Sequence, residues 1–147
     1  MILYFSAVAS LVILFLATYN PFNVGEQWTG TYNTTSNGAA VNGAITLEVI
    51  SISGLTVQIF GTFTHGTYCN VAAGCRTPGV TQYYLNGQVN GQQLVATPAG
   101  YSGITDTTFA QLGLSGFINV VGAVTKLAGN FGTGTFQTTL ACSAAVG

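Results

Sequence analysis

The sequence predicts a mainly β fold, an antiparallel β-sandwich or small β-barrel, preceded by an N-terminal hydrophobic α-helix. Three observations predict it. Residues 1–17 are apolar and uncharged, with no helix breaker before Pro21. Beyond Pro21 the texture changes to short runs in which apolar and polar residues alternate, the period of a half-buried strand. Glycine-containing turn signals separate these runs, and strands so closely spaced protect their apolar edges by forming a sandwich or a closed barrel. At 147 residues the chain holds one folded unit once the leading segment is set aside. The division is therefore a hydrophobic helix at 1–20 and a β domain at 21–147.

At about 1.5 Å rise per residue, a helix through Thr18 spans roughly 27 Å, near the lower limit for crossing a bilayer. Two fates stay open. As a secretory signal the segment offers the small Ala17 before Thr18, yet it lacks a basic start and an A-x-A site. As a retained anchor or filament-core helix it offers Ser6 and Ser10 four residues apart, near Ala7, Ala9 and Ala17, and small side chains let helices approach closely. No Lys or Arg flanks it, so the positive-inside rule assigns no orientation.

The β domain is read in chain order. Residues 34–42 form a polar loop. Ile45, Leu47 and Val49 then alternate with Thr46, Glu48 and Ile50, and Ser53-Gly54 turns the chain into 55–64. There Leu55, Val57, Ile59, Gly61 and Phe63 share one face, opposite Thr56, Gln58, Thr62 and Thr64, with Phe60 as the exception. A second hairpin joins 83–89 to 92–97 through Asn90-Gly91, a dipeptide suited to positive φ. Residues 99–108 make another polar loop. A third pairing joins 118–127 to 131–142 with Gly129-Asn130 at the turn. Its first member also fits an amphipathic helix, but Val, Ile, Phe and Thr dominate it, and Gly116, Gly122 and Gly129 would each cost about 1 kcal/mol in a helix.

Charge narrows the function. The only ionic side chains are Glu26, Glu48, Asp106, Arg76 and Lys126, against roughly a quarter of residues in an ordinary globular protein. A wall of Thr, Asn, Gln, Ser and Gly favours association and is insensitive to pH. Either an acidic medium or a repeating assembly rewards that choice. Nucleic acid is excluded as a partner, because two cations do not neutralise a run of phosphates.

The singular residues point away from catalysis. Cys69 and Cys75 flank a five-residue stretch that closes readily into a disulfide outside the cytoplasm, leaving Cys142 as a small apolar residue or a cross-link between copies. Pairing of Cys142 with Cys69 or Cys75, tying the tail to the loop, is the alternative. His65 precedes Cys69 by four residues, but a thiol nucleophile needs a cleft and an orienting group, so His65 reads as a turn residue. A lone histidine beside disulfide cysteines does not make a zinc site. The three acids are far apart in sequence, which disfavours a paired-carboxylate hydrolase. No cofactor is expected. Asn33-Thr34-Thr35 fits the N-glycosylation acceptor pattern. Most aromatics belong to the core. Phe60 breaks its row and Tyr83-Tyr84 must place one ring on each face, so Phe60, Tyr83 and Tyr84 supply the interface candidates.

An uncharged hydrophobic segment followed by a Thr- and Gly-rich β domain resembles archaeal type IV pilins and membrane-anchored virion surface proteins. It departs from pilins in having Phe5 where they carry an acid and no basic residue before the segment. The resemblance implies a structural subunit of an extracellular filament or virion surface. Its partners would be copies of itself and a lipid bilayer, reached through the N-terminal helix. Trp28-Thr29-Gly30-Thr31-Tyr32 and the hairpin-rich remainder resemble small secreted β-barrels of the avidin or lipocalin kind. That second resemblance implies a secreted barrel holding an apolar ligand.

Overall fold

The alternation after Pro21 becomes a run of antiparallel strands. The computed structural model describes residues 19–36, 38–70, 74–76, 79–102 and 111–142. The strands are β1 (Gln27–Ser36), β2 (Ala39–Ser53), β3 (Thr56–His65), β4 (Tyr68–Asn70), β5 (Gly74–Arg76), β6 (Gly79–Asn90), β7 (Gln93–Tyr101), β8 (Leu114–Val121), β9 (Val124–Phe131) and β10 (Gly134–Cys142). Eight of them close a barrel in the order β1-β10-β9-β8-β7-β6-β3-β2, and β4 pairs with β5 as a small excursion between β3 and β6. Of the two β architectures expected, the barrel is the one formed. Closure depends on β1 meeting β10, where Trp28 faces Leu140 and Tyr32 faces Phe136.

The expected helix-plus-β class is corrected to all-β, because no helix occurs among the described residues. Residues 1–18, including Ser6 and Ser10, lie outside them, and Tyr19 and Asn20, which complete the expected span, are not helical.

Four hairpins share one turn chemistry. Two-residue loops begin at Gly54, Gly91, Gly122 and Gly132, whose φ angles are 60°, 62°, 64° and 55°. A glycine at the first loop position is the signature of the primed turns that match strand twist. The turns therefore sit later than Ser53-Gly54 and Asn90-Gly91 suggest, by one residue in each case. The third pairing is rearranged further: Gly122 splits 118–127 between β8 and β9, and Gly129-Asn130 lies inside β9. The expected loop at 34–42 is strand as well, since Thr34 pairs with Val41 and Ser36 with Ala39. Thr35 and Asn42 face the outer wall, whereas Thr34 and Ser36 are buried on the lumen side. Residues 99–101 likewise continue β7, and 103–108 fall outside the described residues.

Inside, large rings fill the lumen. Phe63 stacks between Tyr83, centroids 4.8 Å apart, and Phe131, 5.0 Å away. Tyr32 stands edge-on to Phe63 and to Phe131. Phe63, Tyr83 and Phe131 are each 0% exposed, so no water-sized space touches them. An eight-stranded barrel is just wide enough for such filling, with small residues opposite large ones. Gly61 provides the small partner, because a Cβ there would lie 2.6 Å from the Phe63 ring. Gly87 does the same for Val57 and Leu94, each at 2.7 Å.

Gly61→Ala should lower the free energy of unfolding by about 1–3 kcal/mol through overpacking, measured by urea denaturation. In a Phe63→Leu background that loss should shrink. Equal losses in both backgrounds would refute the packing account.

Candidate functional site

Three surfaces are available for function: the lumen, the outer wall and the two ends. The lumen is occupied by side chains. Its hydroxyls are tied to backbone: Thr34 Oγ1 donates to Phe131 O at 2.6 Å and Thr138 Oγ1 to Leu127 O at 2.7 Å. Tyr83 Oη donates to Leu112 O at 2.8 Å and accepts from Leu112 N at 2.9 Å. Burial pushes the Tyr83 phenol well above its ordinary pKa, so it remains a donor. The Trp28 indole N–H is buried and meets no acceptor among the described residues, a cost of about 1–3 kcal/mol.

The ends differ. One end carries the start of β1, the end of β10 and the turns at Gly54, Gly91 and Gly122. Here the chain enters: Asn20 Nδ2 donates to Gly54 O at 3.0 Å, Phe22 N donates to Asn20 Oδ1 at 2.9 Å, and buried Phe22 sets its ring edge-on to Trp28. We call this the entry end. The far end carries the turns at Gly38 and Gly132 and the β4–β5 excursion. Toward it the lumen becomes polar, with Thr34, Ser36, Thr81 and His65 buried. His65 is therefore not a turn residue: it ends β3 pointing inward, its Nδ1 3.2 Å from Gly66 O.

The outer wall is almost uncharged. Rows such as Thr29, Thr31, Asn33 and Thr35 on β1 and Gln82, Asn86 and Gln88 on β6 face outward. Shallow depressions run along it, one over β1, β10 and β9 lined by Thr31, Asn33, Ala128, Thr135 and Gln137. Asn33, the glycosylation candidate, is exposed on this wall within β1 rather than in a loop. Phe60 and Tyr84 are direct cross-strand partners on the wall, rings 5.2 Å apart, which explains the break in the β3 row. Tyr83 is corrected as an interface candidate, because it lies in the core. Lys126 is exposed on β9, and Glu48 is partly exposed on β2.

Cys69 is exposed and disulfide-bonded, and the residue opposite it in the β4–β5 ladder is Cys75. Cys69 lies in the excursion, outside the barrel sheet. Among the described residues no group of three His, Cys, Asp or Glu side chains gathers to hold a metal, and no helix is long and apolar enough to cross a membrane. No family model, curated protein or solved structure matches the chain.

Glu26 is the one buried acid among the described residues. Burial raises its pKa above the ordinary 4.5, partly opposed by hydrogen bonds from Asn23. A raised carboxyl binds its proton more tightly folded than unfolded, so its contribution favours folding at acid pH. That contribution is lost as pH rises from about 4.5 through the folded value. Thermal melts should therefore show no loss of stability from Glu26 on acidification, and Glu26→Gln should flatten the pH dependence above 4.5. A wild-type slope unchanged in the variant would contradict this assignment.

Proposed function

We propose that this chain is a non-enzymatic structural subunit of an extracellular assembly, a cell-surface filament or a virion surface, whose barrels pack wall to wall. The observation that carries the reading is the pairing of a filled lumen with an almost uncharged wall. A barrel that holds an apolar ligand needs an empty interior, whereas Phe63, Tyr83 and Phe131 occupy this one. Catalysis needs an acid, base or nucleophile in a cleft. Three depressions on the wall are lined largely by Thr, Asn, Gln, Ser and Gly, with Lys126 the one ionic residue among their linings and no acid or histidine beside it. Thr, Asn and Gln rows, by contrast, supply many neutral donors and acceptors to a neighbour without the desolvation penalty of charge. Phe60 and Tyr84 add a partly exposed aromatic pair of the kind enriched at interface centres. The texture shared with pilins and virion surface proteins supports the same reading.

Sedimentation and electron microscopy of the full native chain should find ordered polymers or particles that persist from low to high salt, since few charges are available to screen. Tyr84→Asp should raise the critical concentration about tenfold, equivalent to about 1.4 kcal/mol per subunit contact, while leaving circular dichroism unchanged. A solitary monomer at millimolar concentration would sink the proposal.

A further inference from the structure

The β8–β9 hairpin reaches past the rim of the barrel at the entry end, and its tip is apolar. Val120, Val121 and Val124 are 64%, 56% and 40% exposed. Val120 occupies an inward-facing register position opposite Thr125, so its exposure means that the lumen has already ended at that level. Gly122 and Ala123, which complete the tip, are exposed too. Four successive apolar or small residues at a protruding turn, followed by a valine, do not stabilise the barrel they leave. They are suited to another phase.

The chain itself indicates which phase. Residues 1–18 carry no charge and consist mostly of Leu, Ile, Val, Phe and Ala, and they join the barrel at the same end as the tip. The joint is fixed by the Asn20 bond to Gly54 and by buried Phe22. Tyr19, exposed at the junction, is the residue type that settles at a bilayer interface. Lys126 is exposed on the outer wall two residues beyond Val124, where a lysine stem lies along apolar surface while its ammonium stays at the headgroups. The wall above is mostly Thr, Asn and Gln, interrupted by exposed Val80, Val95 and Phe117, and lacks the continuous apolar outer band of a bilayer-spanning barrel. Lipid contact is thus confined to the end.

We infer that the entry end of the barrel rests on a lipid surface, with the 120–124 tip dipping into the headgroup–acyl boundary as a second contact. The strand order puts β8 and β9 across the barrel from β2 and β3, where the hydrophobic segment enters. One tether leaves the barrel free to tilt. Two contacts on opposite sides of the rim hold its axis upright, with the far end and the Cys69 excursion pointing away from the lipid.

The test uses the full chain in phosphatidylcholine vesicles whose acyl chains are brominated. Val121→Trp is compared with Ala40→Trp, an exposed site near the far end, after subtraction of the Trp28 signal. The tip tryptophan should be blue-shifted and quenched several-fold more than the one at residue 40. Val124→Trp reads the same tip from the facing strand if the first variant fails to fold. Two outcomes overturn the inference: equal quenching at both positions, or a blue-shifted tip that lipid bromine does not quench, which would place it against a second copy. Sedimentation of the same variants reports self-association separately, so loss of the tip contact and loss of assembly are distinguishable.

Discussion

The structure depends on the filling of a narrow eight-stranded lumen. Phe63 lies between Tyr83 and Phe131 with nearly parallel rings, 19° and 7° from coplanar, and Tyr32 closes the stack from the side. Rings of that size fit only if adjacent inward positions are empty, and Gly61 supplies the room beside Phe63, as Gly87 does for Val57 and Leu94. Glycine in a strand interior weakens it locally. Here that loss is offset by the burial of large rings from strands far apart in sequence. The same stack leaves no room for a guest molecule beside Phe63, Tyr83 and Phe131.

The exterior is shaped by alternation. With every second side chain committed to the lumen, the others form the wall, and there Thr, Asn and Gln stand in place of charge. Such a wall neither repels its like nor changes state when carboxylates titrate. Glu26, the one buried acid among the described residues, is held next to the barrel entrance, where burial favours its neutral form. A protein built this way keeps one surface chemistry across a wide range of salt and acidity. On the proposed reading, attachment to copies would use the wall and attachment to lipid the entry end.

Much of this was legible in the residues, but not all. The alternation of 55–64 identified β3 and its inward face, and the Gly54 and Gly91 hairpins were visible from their turn residues. Phe60 stood out as an exception, and its place beside Tyr84 is the reason. Other features were hidden by the same periodicity. The polar row of 34–42 reads as a loop because outward Thr and Asn are indistinguishable from loop residues until pairing is known, although Asn37-Gly38 is itself a hairpin signal. The apolar run 118–127 reads as one element because the hairpin tip that interrupts it is as hydrophobic as its arms. Ile50 is skipped in the β2–β3 register, and a bulge of that kind leaves no mark in an alternating sequence. Barrel and sandwich share one pattern, and only the meeting of β1 with β10 separates them.

That meeting has a further consequence. Because Gln27 lies opposite Cys142, the first and last strands leave the barrel through the same doorway. Foreign sequence appended there would be held down among the greasy residues of the base. Foreign sequence spliced into the turn at Gly38, at the opposite pole, would be lifted to the outermost layer. If the entry end rests on lipid as proposed, the architecture sorts positions into those for mooring and those for display, and variation tolerated at the crown would leave the footing untouched.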